Sequence, residues 1–257
     1  MKKVLIKCGG STLDELSADF FESLHELKSQ GYAIIIVHGG GPDINEMLEK
    51  LKIKPEYANG LRKTNEETMH VVEMVLSGKT NRKLVQKLSA NGLKAIGISG
   101  SDSGLLIGDY IDKKKLGYVG NIQKVNTSII EMFLKKDIIP VITPIAATAT
   151  GEKLNVNADY AAAAVGHALK VEHCIFVTDV DGIIIEGKLR KKLTLNELEK
   201  FIEQGEIYGG MVPKVQSAAA ALEKGVDSVT IVSGMKKFLK NNEWLGTKII
   251  GKEKVWA

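Results

Sequence analysis

Apolar residues along the chain fall into two alternating rhythms. Short, nearly unbroken aliphatic runs occur at Lys3 to Cys8, Ile34 to Val37, Ala95 to Ile98, Ile138 to Ile142, Cys174 to Thr178, Ser228 to Val232 and Gly246 to Ile250. Runs of this length that lack polar alternation read as strands buried on both faces. Between them lie stretches of helical period: Leu16 to Ser29 (closed by Gly31), Pro42 to about Leu51, Glu66 to Asn91, Ile129 to Lys135, Ala161 to Leu169, Asn196 to Gln204 and Val215 to Lys224. Strand followed by helix, again and again, predicts an α/β fold with a mostly parallel sheet and helices on both faces. From Leu106 to Val125 short strands alternate with turns, which predicts a hairpin covering one end of that sheet. No internal repeat and no Gly/Ser linker interrupts the pattern, so two lobes sharing one continuous sheet are expected.

Composition narrows this only a little. The 257 residues are 44% hydrophobic and 26% charged, with ample material for a core. A net charge of +4 is too small and too scattered to point to nucleic acid, and at most favours anionic small molecules. The two cysteines, Cys8 and Cys174, are far apart and lack metal-site spacing, so they read as buried thiols in a reducing compartment. No stretch approaches the length of a membrane span, and Met1 to Val4 leads straight into a strand; a cytoplasmic protein is expected.

Candidate chemistry gathers where strands end. After Ile34 to Val37 come His38 and three consecutive glycines, Gly39, Gly40 and Gly41, then Pro42 and Asp43 at a helix start. Bare glycines let backbone N–H groups approach a ligand, and a helix N-terminus favours negative charge. Three more turns rich in Gly, Asp or Ser stand beside buried strands: Lys7 to Thr12, Ile98 to Gly104 and Thr178 to Gly182. In a doubly wound sheet all four lie along one edge, as suits a ligand with several phosphates or two ligands end to end. Lys7, between Ile6 and a Gly-Gly turn, is read as aimed at a phosphate. Three imitations fail. Gly78-Lys79-Thr80 lacks the earlier P-loop glycine (Glu73 is there) and sits within a helix; Asn155, Asn157 and Asp159 lack the glycine and closing Glu of a calcium loop, and Asp179 to Gly182 fails likewise.

Five segments taken in order resemble the amino acid kinase family over nearly the whole chain: Lys7-Cys8-Gly9-Gly10, His38-Gly39-Gly40-Gly41, Asn59-Gly60-Leu61-Arg62, Asn155-Val156-Asn157-Ala158-Asp159 and Gly210-Met211-Val212-Pro213-Lys214. The second and first alone would fit several members; the Asn-Gly-Leu-Arg and Asn-Val-Asn-Ala-Asp segments resemble those that phosphorylate an N-acetylated glutamate in arginine biosynthesis. Cys8, where an aliphatic residue is commoner, and Pro213 are small departures. The resemblance implies an open eight-stranded sheet, an acetylamino-acid site and dimer interface in residues 1–166, and an ATP site in residues 167–257. It further implies that Lys7 and Lys214 flank the γ-phosphoryl group, with Asp159 between them holding both. Gly40, Gly41, Arg62, Asn155 and Asn157 would hold the acid. Gly9, Gly10, Thr178, Asp179, Val180, Asp181, Gly182, Ile207 and Tyr208 would meet ATP. The expected activity is transfer of the γ-phosphoryl of ATP to the γ-carboxylate of N-acetyl-L-glutamate by a homodimer, with Mg²⁺ held mainly by phosphates and no side-chain metal ligand.

The residue chemistry agrees with such a reaction. Phosphoryl transfer needs positioning and positive charge more than covalent help. Two lysines supply the charge, and a carboxylate between them opposes their repulsion, at about 4 kcal/mol per pair for a separation of about 4 Å and an effective dielectric of about 20, before desolvation. A γ-carboxylate, with a reference pKa of about 4.3, is already ionised at neutral pH and needs no base. His38 is therefore read as structural. Other readings stay open: a kinase of N-acetylaminoadipate or carbamate on the same scaffold, or a sensor of nucleotides or amino acids that has lost catalysis. Retention of Lys7, Asp159 and Lys214 together argues against the last. Only Met1 and Lys2 precede the first strand, whereas arginine-inhibited members of the family carry an extra helix there; insensitivity to arginine is expected.

Overall fold

The computed structural model describes residues 1–251. Its centre is an eight-stranded sheet. In chain order the strands and helices that build the molecule are β1 (Lys2–Cys8), α1 (Ala18–Ser29), β2 (Tyr32–His38), α2 (Gly41–Lys50), α3 (Glu66–Glu73), α4 (Asn81–Ala90), β3 (Ala95–Ser99), β4 (Leu106–Tyr110), β5 (Val119–Val125), α5 (Thr127–Lys135), β6 (Ile139–Thr143), β7 (Ile145–Ala147), β8 (Lys153–Val156), α6 (Ala158–Leu169), β9 (His173–Thr178), β10 (Lys192–Thr194), α7 (Leu195–Glu203), α8 (Met211–Glu223), β11 (Ser228–Ser233) and β12 (Thr247–Ile250). The sheet order is β10-β12-β11-β9-β1-β2-β6-β3, and every neighbouring pair is parallel except β11 with β12.

Why β1 sits at the centre follows from its residues. Leu5 packs on one face of the sheet with Ile35, Val37 and Phe176, while Val4 and Ile6 pack on the other with Ile34, Ile36, Ile175 and Val177. Alternate side chains thus enter two different cores, the reason no polar alternation shows in these strands. The chain winds away from β1 in both directions, to β2 on one side and β9 on the other, which makes its carboxyl end the switch point where crevices open. Register places Lys7 beside Val37 and Phe176, and Cys8 beside His38 and Val177.

Two expectations need correction. The hairpin read from Leu106 to Val125 is only half of its unit: β4 and β5 join β7 and β8 in a small closed four-stranded barrel. Strands of three and four residues carry too little pattern to be read alone, and closure depends on Gly120, where a Cβ would lie 2.7 Å from Leu154 Cβ. The helix expected over 66–91 is present, but Met74–Thr80 between α3 and α4 is a π-helical turn. The wider turn brings consecutive residues Thr80 and Asn81 inward together: Thr80 Oγ1 donates to Asp43 Oδ2 (2.8 Å), and Asn81 Nδ2 donates to Val141 O (2.9 Å). The Gly78-Lys79-Thr80 imitation of a P-loop lies in this turn. No helix among the described residues is long and apolar enough to cross a membrane.

Candidate active site

Two clefts open at the carboxyl edge of the sheet, one on each side of the β1 and β2 turns. The first, of about 210 Å³, is lined by Lys7, Gly9, Ser11, Thr12, Phe176, Thr178, Asp179, Pro213, Lys214 and Ser217 among others. The second, of about 180 Å³, is lined by Gly39 to Gly41, Ile44, Tyr57, Gly60 to Arg62, Asn155 to Ala158 and neighbouring apolar residues. Between them the two glycine turns meet backbone to backbone: a Cβ on Gly10 would stand 2.7 Å from Gly40 N, and one on Gly39 would stand 3.2 Å from Gly10 N. Side chains at these positions would hold the turns apart.

Three helices of ten or more residues start here: α2 at Gly41, α6 at Ala158 and α8 at Met211. Their N-terminal dipoles add positive potential where anions would gather. Pro42 occupies the first turn of α2, and Pro213 the first turn of α8, where a missing N–H costs nothing. The helix containing Lys214 thus begins at Met211, four residues ahead of the start read from the apolar pattern.

The charged groups are paired across elements. Lys7 Nζ, at the end of β1, lies 2.7 Å from Asp159 Oδ1 in the first turn of α6, and 5.6 Å from the centre of the Phe176 ring. Asp159 Oδ1 is buried and has no aligned hydrogen-bond donor, so this contact is ionic; Oδ2 accepts from Ser217 Oγ at 2.8 Å. Lys214 pairs with Asp179, at 2.8 Å, and the Lys214 ammonium holds that carboxyl below the usual carboxylate range. The arrangement therefore differs from a single carboxylate gripping both lysines. Asp159 holds Lys7, Asp179 holds Lys214, and Ser217, one helical turn beyond Lys214, ties α8 to Asp159.

In the second cleft Arg62 is the one charged side chain among the lining residues, and it is only 9% exposed. Its guanidinium lies 4.9 Å from the Tyr57 ring centre and donates weakly to Gly41 O (3.4 Å), while Nη1 is buried with no partner among the described residues. Burial pushes its pKa down from the ordinary arginine value, partly offset by Tyr57. An unpaired donor of this kind is a ready receptor for a carboxylate. Asn155 Nδ2 donates to Thr64 Oγ1 (3.0 Å), and Asn157 caps α6 by accepting from Asp159 N (2.8 Å) and Tyr160 N (3.3 Å).

Most of the residues singled out from the sequence line one cleft or the other: Lys7, Gly9, Thr178, Asp179 and Lys214 the first, Gly40, Gly41, Arg62, Asn155 and Asn157 the second. Gly10 is the seam between them. Val180, Asp181, Gly182, Ile207 and Tyr208 do not line the first cleft. Asp181 pairs with Lys236 (2.6 Å), Gly182 fits tightly against Thr247, Ile207 is buried in the core, and Tyr208 is 76% exposed. Ser11, Thr12, Phe176 and Ser217 line the first cleft without having been singled out. Ser11 and Thr12 stood in the first glycine turn, while Phe176 and Ser217 face the site only because β9 and α8 pack beside β1 and α6.

His38 is fully buried, and burial lowers its pKa to about 4. It bonds to Gly39 O, Asn81 and Thr143.

Comparison with known proteins places this geometry. Residues 2–233 match the sequence profile of the amino acid kinase family. The chain is 49% identical over 249 residues to the acetylglutamate kinase of Bacillus licheniformis, covering 97% of this chain and 96% of that one. It is 48% identical over 251 residues to the acetylglutamate kinase of Bacillus subtilis, covering 97% of each. Among solved structures it resembles smu.665 from Streptococcus mutans, with a TM-score of 0.83 at 33% identity over 96% of this chain and 98% of that one. The carbamate kinase of Giardia lamblia bound to AMP-PNP, at a TM-score of 0.67 and 15% identity over 97% of this chain and 98% of that one, shares the fold. From strand order to the paired clefts, the chain belongs to the amino acid kinase family.

Proposed function

We propose that this protein transfers the γ-phosphoryl group of ATP to the γ-carboxylate of N-acetyl-L-glutamate, giving the acyl phosphate used in arginine biosynthesis. The observation that carries the reading is the pair of clefts joined at Gly10 and Gly40, one with two lysines and the other with a buried, unpaired arginine donor. Near-half identity to acetylglutamate kinases over almost the full chain supports the choice of acid.

In this reading residues 1–166 hold the acid and residues 167–257 hold ATP; 252–257 lie outside the described residues. Arg62 binds the α-carboxylate of the acid and leaves its γ-carboxylate directed towards the seam. That carboxylate is ionised at neutral pH and attacks without a base. Lys7 and Lys214 offset charge on the transferring group, Gly40 and Gly41 offer backbone N–H groups, and Asp159 keeps Lys7 in place. Asp179 releases Lys214 to the phosphates when ATP binds. Mg²⁺ enters with the phosphates of ATP as part of the substrate.

Incubation with ATP, Mg²⁺ and N-acetyl-L-glutamate, with hydroxylamine to trap the acyl phosphate, tests this directly. Turnover of N-acetylaminoadipate or carbamate in preference would move the assignment to that acid, and no hydroxamate with any acid would end it. We further place the enzyme in the cytoplasm as a homodimer. Support for the dimer comes from β3, whose outer edge pairs with no strand among the described residues and whose residues are all half-buried, and from the exposed Met74 on the adjoining π-helical turn. A monomer mass by light scattering would exclude it.

A further inference from the structure

His38 is the largest polar investment near the seam that the proposed reaction does not use. Its Nδ1 lies 2.8 Å from Gly39 O, and its Nε2 lies 3.1 Å from Asn81 Nδ2. A carbonyl oxygen only accepts, so Nδ1 carries the proton and Nε2 is the acceptor. Asn81 is itself fixed: Nδ2 also donates to Val141 O (2.9 Å), and Oδ1 accepts from Arg82 Nη2 (2.6 Å). Those three contacts settle which end of the amide faces the ring. Asn81 reaches this spot because the π-helical turn ends at Thr80, immediately before it.

The consequence lies in the peptide that follows His38. No cis bond occurs among the described residues, and in a trans peptide the C=O and N–H point in opposite directions. With Gly39 C=O held towards the buried ring, the Gly40 N–H is turned the other way, to the side where Gly10 and the second cleft lie. The Gly40 N–H has no hydrogen-bond acceptor among the described residues. Rotation of this peptide would swing that donor away, and two glycines offer little resistance of their own.

We propose that His38 and Asn81 are positioning residues that lock the Gly39–Gly40 peptide, so that the Gly40 N–H stands ready for the phosphoryl oxygens in the transition state. The lock depends on the proposed phosphoryl transfer for its kinetic readout, but its geometry does not. A neutral, buried imidazole suits this role, since it offers one donor and one acceptor in fixed directions and exchanges no proton with the substrate. The pair also joins the seam to the helix beside the β3 edge, through Asn81 and Arg82, both of which lie over Gly97.

Two substitutions separate the halves of the ring. His38→Asn retains a donor near the Nδ1 position, and His38→Gln retains an acceptor near Nε2 but loses the bond to Gly39 O. We expect His38→Gln to lower kcat by about 10²-fold, as for loss of an oriented oxyanion donor, with KM for ATP and for the acid within about threefold. His38→Asn should recover at least about tenfold of that loss, and binding of ADP with aluminium fluoride and the acid should weaken in parallel with kcat. Equal kcat for the two variants, or kcat within threefold of wild type for His38→Gln, would overturn the proposal. Should either variant fail to fold, ¹⁵N NMR of the wild-type His38 ring still decides: a proton on Nδ1 is expected, and one on Nε2 refutes the lock. Because the ring is read in the wild-type protein without turnover, that result stands even if the acid or the reaction were misassigned.

Discussion

Gly10 and Gly40 approach so closely that a single methyl group on the first would stand 2.7 Å from the amide nitrogen of the second. Backbone atoms of both turns define the surface across which the two clefts meet, and neither turn can retreat freely. Behind Gly40 stands Leu76, whose Cδ2 would be 2.4 Å from a Cβ built there. Gly10→Ala should therefore force the turns apart at the point where, in the proposed reaction, the phosphoryl group passes. We expect kcat to fall by about 10²-fold or more, since an error of about 1 Å in placement carries that penalty. The stability loss should stay near 1–3 kcal/mol, about the usual cost of overpacking. A folded Gly10→Ala enzyme with near-normal kcat would show that the seam is not the transfer path.

Lys7 and Lys214 each have their own carboxylate partner, so their removal should have separable consequences. Lys7→Ala and Lys214→Ala should each lower kcat by about 10²-fold or more with smaller effects on KM, because in the proposed reaction both act on charge that develops in the transition state. Asp179→Asn leaves Lys214 without its resting partner and should cost far less, within about tenfold in kcat, since it removes no transition-state contact. Steady-state kinetics on the three variants give the answer. If Asp179→Asn were as damaging as Lys214→Ala, Asp179 would belong to the reaction itself.

Strand runs, and the glycine turns that follow them, were readable because both express local demands. A strand buried on two faces must be aliphatic throughout, and a turn that meets another backbone must lack Cβ. Lys7, Gly10 and Gly40 were found in this way, whereas Arg62 was found only through the family resemblance. What escaped depends on the packing of distant elements. Ser217 reaches Asp159 only because α8 lies along α6, and nothing near Lys214 in sequence announces Asp179 as its partner. The π-helical turn was hidden as well, since its apolar spacing fits a regular helix over the same residues. Conversely, Ile207 and Tyr208 sit in a segment that resemblance places at the nucleotide, yet one is buried in the core and the other stands in solvent. Sequence motifs identify a segment; which of its side chains faces the cleft is decided by the backbone.

Arg62 should behave differently from the lysines. In the proposed reaction its contact with substrate is made before chemistry begins, and one of its buried nitrogens has no partner among the described residues. Arg62→Ala should raise KM for N-acetyl-L-glutamate by about tenfold to a hundredfold, the worth of a charge-assisted bidentate contact, and leave KM for ATP nearly unchanged. Arg62→Lys should recover little, because an ammonium cannot reproduce the planar fork. If KM for ATP rose instead, the two clefts would have been assigned in reverse.

The buried imidazole of His38 makes stability depend on pH in a defined window. Its pKa is about 6.5 in the unfolded chain and about 4 in the folded protein, where burial dominates, the bond to Gly39 O opposes it, and Arg82 and Asp43 make smaller contributions, downward and upward respectively. Between these values the unfolded state binds the extra proton, so stability rises with pH. The contribution is complete above about pH 6.5 and is lost as pH falls towards 4, amounting to about 3 kcal/mol over that range. Half-buried His173, whose pKa burial also lowers, adds to the slope in the same direction. Urea unfolding at pH 7 and pH 4.5 should show a marked drop in midpoint for wild type. His38→Asn, which has no titrating ring, should show a smaller drop across the same interval. Equal drops in the two proteins would mean that His38 gains its proton without breaking the contacts that hold Gly39 and Asn81.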